Sequence, residues 1–192
     1  AGAVARIPVM GRSTEIIFVE GHSSDGTWEE IQRVAASARR PVRAFRQPGK
    51  GKGDAVRFGF NKARGDVLMI LDADLTVPPE DLGKFFRVIA SGRGEFVNGT
   101  RLVYPMEKQA MRFINLMGNK FFSVALSWIL DQTLRDTLCG TKVLFREDYR
   151  RIVAGRSYFG DFDPFGDFDL IFGAAKANLR IAEVPIRYRE RV

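Results

Sequence analysis

Two carboxylates one residue apart, Asp72 and Asp74, close the apolar run Val67-Leu68-Met69-Ile70-Leu71. On extended backbone, side chains two residues apart project to the same side. A carboxylate pair so placed offers oxygen ligands to a hard cation such as Mg²⁺ or Mn²⁺, with phosphate oxygens and water filling the remaining positions. Aspartate is also common in solvated turns at strand ends, and a motif this short decides nothing alone.

Other polar segments bear on the pair. Val19-Glu20-Gly21-His22-Ser23-Ser24-Asp25-Gly26-Thr27 follows an earlier apolar run. It reads as a strand-to-helix turn suited to a base or ribose, or as a helix start capped by Ser24 or Asp25. Gly49-Lys50-Gly51-Lys52-Gly53 lacks the P-loop arrangement. It sets two lysines on a flexible loop ahead of a helix, which suits phosphate or a plain basic surface turn. Arg101 and Arg112 have the guanidinium geometry to clamp phosphate, or are surface arginines. Gly160 to Asp169 places Asp161, Asp163, Asp167 and Asp169 among phenylalanines and glycines. Carboxylates beside apolar rings suit general-base work, and an acidic loop also suits a second cation.

These residues need a scaffold that brings strand ends together. Strands are expected near 15–19, 42–45, 67–71, 95–99, 142–145 and 181–188. Helices are expected near 28–38, 54–64, 78–89, 109–130, 147–153 and 168–177. Alternating elements of this kind imply an α/β domain with a mainly parallel sheet covered by helices on both faces. Ligands of such sheets bind beyond the carboxyl ends of the strands. A length of 192 residues fits one domain spanning 1–192. The start, Ala1-Gly2-Ala3-Val4, reads like the interior of a longer protein. The single cysteine, Cys139, excludes an internal disulfide framework and points to a reducing, cytoplasmic setting. No apolar stretch is long enough to span a bilayer. A net charge of +7 favours anionic partners. The absence of a recognised nucleic-acid motif, with carboxylates at the strand ends, argues against nucleic acid.

In their order and spacing the segments resemble glycosyltransferase family 2, the GT-A fold, and within it the dolichyl-phosphate mannosyl- and glucosyltransferase branch. The likeness rests on Val19 to Thr27, on Gly51-Lys52-Gly53-Asp54-Ala55-Val56-Arg57, and on Leu71-Asp72-Ala73-Asp74-Leu75. Asp136-Thr137-Leu138-Cys139-Gly140-Thr141-Lys142 and Ile181-Ala182-Glu183-Val184-Pro185-Ile186 extend it over nearly the whole chain. The resemblance implies an inverting transfer of a sugar from a nucleotide-sugar donor to a polyprenyl-phosphate or other acceptor. Asp72 and Asp74 would hold Mg²⁺ or Mn²⁺ on the donor diphosphate, with Ala73 lining the donor site. Val19 and Glu20 would line the nucleoside, Lys52 would sit near the phosphates, and Arg101 and Arg112 would contact them. Asp167 or Asp169 would be the late acidic residue, a base if the acceptor is a hydroxyl. A lipid-phosphate acceptor would bring peripheral membrane association, at the inner face of the membrane.

The chain departs from the family pattern at Gly21, where a second Asp is usual, and lacks the family's opening strand. The rival expectation is a metal-dependent nucleotidyltransferase of α/β fold.

Overall fold

The structure, a computed structural model, describes residues 2–101, 113–155 and 166–187. Arg112, Asp161 and Asp163 lie outside them.

Among the described residues there are six strands, most of them rich in apolar or β-branched residues. They are β1 (Ile16–Glu20), β2 (Val42–Arg46), β3 (Val67–Met69), β4 (Phe96–Thr100), β5 (Lys142–Phe145) and β6 (Ile181–Pro185). The helices are α1 (Gly2–Arg6), α2 (Thr27–Ser37), α3 (Gly51–Lys62), α4 (Leu82–Ala90), α5 (Phe113–Leu130), α6 (Arg146–Ala154) and α7 (Asp167–Lys176). A 3₁₀ turn, Pro79–Asp81, leads into α4.

The α/β architecture is the expected one, with a sheet more mixed than the sequence suggests. β1 and β2 pair in parallel as one ribbon. The other four strands lie in the order β3-β5-β4-β6, with β4 and β6 parallel. β5 runs antiparallel to both β3 and β4. It enters from the loop after α5, on the side where β4 ends, and so runs backward through the sheet. Strand direction leaves no mark on an apolar run, so the sequence could not show this. Its consequence is positional: Lys142, the first residue of β5, is brought to the end where β3 and β4 finish.

Period-2 alternation divides the four-stranded sheet between two cores. Val97 and Val143 face α4, where Phe85 and Ile89 are buried at helical spacing. Phe96 and Leu144 face the opposite way, toward Leu126 of α5, Ile152 of α6 and Ile171 of α7. A third cluster joins the β1–β2 ribbon to the rest, through Ile16 and Phe18 against Met69, Leu71 and Leu82. Among the described residues β1 and β3 share this cluster without pairing, each with one strand neighbour.

Candidate active site

The Asp72–Asp74 segment is not extended. β3 ends at Met69, and the chain folds into a turn closed by Leu75 N–H donating to Asp72 O at 3.1 Å. Leu75 takes φ 52°, the left-handed region that side chains with a Cβ seldom adopt. The alternation argument for a shared direction therefore does not apply; the turn sets where the two carboxylates point. Asp74 Oδ1 accepts from the Thr76 amide at 3.2 Å and the Thr76 hydroxyl at 3.0 Å, which fixes the turn from within.

Asp72 faces a lysine. Lys52 Nζ lies 3.0 Å from Asp72 Oδ1 and 3.1 Å from Oδ2, and 3.6 Å from Asp167 Oδ2. The sequence suggested a flexible loop ahead of a helix starting near residue 54. In the structure α3 begins at Gly51, so Lys52 sits on its first turn. The reason is packing. A Cβ at Gly166 would come within 3.0 Å of Gly53 Cα, so the glycines let the starts of α3 and α7 approach. Burial works to lower the Lys52 pKa, but the charges of Asp167 and Asp72 outweigh it and hold the ammonium above the ordinary lysine range.

Asp167 opens α7, behind Gly166 at φ 75°. Its Oδ1 lies 3.0 Å from Lys142 Nζ, and that ammonium is wholly buried and also donates to Cys139 O at 2.5 Å. Lys142 was not given a role from sequence. The available signal was a lysine opening an otherwise apolar strand, Lys142-Val143-Leu144-Phe145. Gly140 was likewise missed: a Cβ there would collide with Asp72 Oδ2 and Lys52 Nζ. Backbone passes close to the ion cluster at that point, and any side chain there would push Lys52 and Asp72 aside.

Asp169 is directed elsewhere. Its Oδ2 lies 3.4 Å from Arg57 Nη1, beside a recess lined by Gly53, Val56, Arg57, Tyr149 and Leu170. The structure thus brings Asp167, and not Asp169, to the Lys52–Asp72 pair.

Arg101, at the end of β4, is engaged by Asp136. Its Nε is 2.6 Å from Oδ2 and its Nη2 is 2.8 Å from Oδ1, with the Arg101 amide donating to Oδ2 at 3.0 Å. Asp136 is fully buried and also accepts from the Leu138 amide at 3.1 Å. Beside it, burial and then the Asp136 charge push the Cys139 thiol up to about 11, which removes it as a nucleophile near neutral pH.

At the end of β1, Val19 packs on Gly59 of α3. Glu20 is 3% exposed. Its Oε1 accepts from the Ser23 amide at 2.5 Å, which holds the carboxyl below its usual range, and Arg46 Nε stands 3.4 Å from Oε2. His22, at φ 67°, sets its Nε2 2.7 Å from Gln47 O. Asp25 accepts from the Thr27 amide and hydroxyl in a local turn; the cap position of α2 is Gly26 and carries no side-chain cap bond, so neither Ser24 nor Asp25 caps the helix.

A model of the family described as "Glycosyl transferase family 2" matches residues 5–153. Dolichol-phosphate mannosyltransferase of Pyrococcus furiosus is 38% identical over 96 residues, which are 50% of this chain and 26% of that protein. The Haloferax volcanii dolichyl-phosphate hexose transferase is 30% identical over 177 residues, 92% of this chain and 71% of that protein. The chain therefore spans only about a quarter of the first of these relatives. Among solved structures, glucosyl-3-phosphoglycerate synthase of Mycobacterium tuberculosis, in complex with Mn²⁺, UDP and glucosyl-3-phosphoglycerate, superposes with a TM-score of 0.62. It is 19% identical and covers 93% of this chain and 62% of its own. S. aureus TarS in complex with UDP gives 0.59 at 14% identity, covering 98% of this chain and 54% of its own. At such identities the likeness shows the fold, which is GT-A.

Proposed function

Because this chain belongs to glycosyl transferase family 2, we propose that it forms the catalytic core of an enzyme moving a sugar, with inversion, from a nucleotide-sugar to a polyprenyl phosphate. Relatives named for dolichol phosphate support the acceptor class. A neighbour crystallised with Mn²⁺ and UDP supports the donor class. The observation that carries the reading is the Lys52–Asp72–Asp167 cluster beneath Gly140.

A divalent cation fits these residues on two grounds. Among the described residues no three His, Cys, Asp or Glu side chains gather to hold a metal. A donor set of Asp72 and Asp74 is thus short of a full protein cage and matches a cation shared with phosphate oxygens. Positive charge is also already accommodated at Asp72, where the Lys52 ammonium stands in for it. When bound, Mg²⁺ or Mn²⁺ would neutralise charge developing on the leaving nucleoside diphosphate.

The chain's own groups do the rest. Lys52 turns from Asp72 to the diphosphate as the donor arrives, so one ammonium serves both states. Val19 and Glu20 line the nucleoside, and the Ala73 backbone lines the donor between the two carboxylates. Lys142 holds Asp167 oriented beside Asp72. A phosphate acceptor is already anionic and needs no base; a hydroxyl acceptor would give its proton to Asp167. Asp169 holds α7 to α3 through Arg57. Arg101 enters as a positioning residue, since reaching a phosphate would uncover the buried Asp136 carboxylate. Arg112, outside the described residues, keeps the phosphate contact that the family resemblance gives it. The site faces the compartment that supplies nucleotide-sugars, at the inner side of a membrane.

The test is sugar transfer by full-length protein carrying Asp72→Asn or Asp74→Ala. Each change is expected to lower the rate about a thousandfold, the scale of losing charge stabilisation of a leaving group. Undiminished transfer would overturn the metal–diphosphate role. Release of pyrophosphate in place of a nucleoside diphosphate would establish nucleotidyl transfer instead.

A further inference from the structure

Glu20 and Gln47 carry two buried acceptors that the fold leaves unanswered. Glu20 ends β1, and Gln47 follows the last residue of β2. The Gln47 amide donates to Glu20 O at 3.0 Å, and His22 Nε2 donates to Gln47 O at 2.7 Å. The backbone of Gln47 is thus pinned on both sides. Its side chain is not. Gln47 is 4% exposed, yet among the described residues its Oε1 has no hydrogen-bond partner, and neither has Glu20 Oε2. The other Glu20 oxygen is committed to the Ser23 amide. Buried acceptors without donors weigh against a fold. Two of them side by side, at strand ends where sheets of this kind take their ligands, need an explanation outside folding.

Gly21 makes the arrangement possible. A Cβ there would stand 3.0 Å from Gln47 Nε2, so the amide sits where a side chain at 21 would enter. The aspartate usual at that position in the family pattern is replaced, from the neighbouring strand, by an amide.

We infer that Gln47 is a specificity-determining residue for the donor, reading its base together with Glu20, and that the pair takes a base with a ring N–H beside a carbonyl, uracil or guanine. The inference rests on the nucleotide-sugar reading above. An ionised carboxylate only accepts, so Glu20 Oε2 needs a donor, which N3–H of uracil and N1–H of guanine supply. The Gln47 amide holds both a donor and an acceptor. It meets the carbonyl next to that N–H, or the amino group on its other side in guanine. Adenine and cytosine set a lone pair at the same ring position, against the carboxylate.

Arg46 shows what such a ligand meets. Its guanidinium lies 4.7 Å over the Trp28 ring, with Nε 3.4 Å from Glu20 Oε2. A flat group stacked on an indole, with an N–H at a carboxylate, makes the contacts that a base would make. The side chain is half-exposed and its contact with Glu20 is longer than a hydrogen bond, so it can swing out as the base arrives.

The experiment is calorimetry on full-length protein with Mn²⁺ and, in separate arms, UDP, GDP, ADP, CDP and inorganic pyrophosphate. The parent is expected to bind UDP or GDP about tenfold more tightly than ADP or CDP, and the tighter of the two names the base. Gln47→Leu should weaken that nucleotide about tenfold and leave ADP, CDP and pyrophosphate unchanged. Parent affinities that ignore the base, or that favour ADP or CDP, would overturn the inference. So would no loss in Gln47→Leu, or a loss shared equally by pyrophosphate, which marks a fault in the fold. Glu20→Gln serves as the second variant if Gln47→Leu does not fold. Its amide donates as well as accepts, so the preference over CDP should narrow severalfold, and an unchanged preference would count against the pair. Pyrophosphate that fails to bind the parent sinks the metal–diphosphate reading, while a preference for UDP or GDP among the nucleotides still upholds this inference.

Discussion

Two ion clusters near the strand ends each pair a basic side chain with an aspartate and hold the pair differently. Lys52 meets Asp72 with side chains 28% and 31% exposed, through a single ammonium on a flexible stem. Arg101 meets Asp136 at 10% and 0% exposure, through two parallel bonds, with backbone amides adding to the grip. A lysine is a point charge that can turn to a new partner; a bidentate guanidinium is committed to one geometry. The first cluster can exchange its cation, and the second can only be broken. Basic residues near a phosphate site are therefore not equivalent, and what each faces in the resting protein separates them.

Breaking the locked cluster should have the larger effect on folding. Asp136→Ala leaves Arg101 buried without its carboxylate and is expected to destabilise the protein by about 3–5 kcal/mol in urea unfolding. A loss below about 1 kcal/mol would place this pair with the exchangeable one. Gly140→Ala sharpens the contrast from the other side. The new methyl group meets only the far ends of Lys52 and Asp72, which can move aside. Stability should fall by no more than about 1 kcal/mol, while the affinity for Mn²⁺ with UDP, read by calorimetry, drops about tenfold.

The smallest effect lies behind Arg101. Glu183 accepts from the Arg135 and Asp136 amides at 2.8 and 3.3 Å, yet burial, the stronger influence, raises its carboxyl above the ordinary 4.5. A carboxyl raised on folding binds its proton more tightly in the native state. It costs nothing below pH 4.5 and weakens folding as the pH climbs from there through the native value. Glu183→Gln keeps the accepting oxygen and removes the charge. Its stability relative to the parent should be unchanged in acid and higher at neutral pH, by less than about 1 kcal/mol. Thermal melts across that range check the sign.

Much of the frame was legible in the sequence because burial leaves period and run length behind. Residues 67–71 announced a buried strand, and Leu82, Phe85 and Ile89 announced α4. The site was legible as a set of motifs and less so as an arrangement. Nothing local links Lys142 to Asp167, 25 residues on. Glycine disfavours helix, so the sequence hides that α3 begins at Gly51, where Gly53 and Gly166 let two helix starts touch. Asp72 and Asp74 follow a run that suggests extended backbone at the strand end, but a left-handed Leu75 turns them.

The central claim is that Lys52 holds the place of a cation that arrives with the donor diphosphate. It is tested most directly by Mn²⁺ binding, followed by electron paramagnetic resonance, to the parent and to Lys52→Met, without and with UDP. The account predicts opposite shifts: Lys52→Met binds Mn²⁺ alone more tightly, because Asp72 is released, and binds Mn²⁺ with UDP more weakly, because the diphosphate loses an ammonium. Two affinities that fall together, or neither changing, would contradict it.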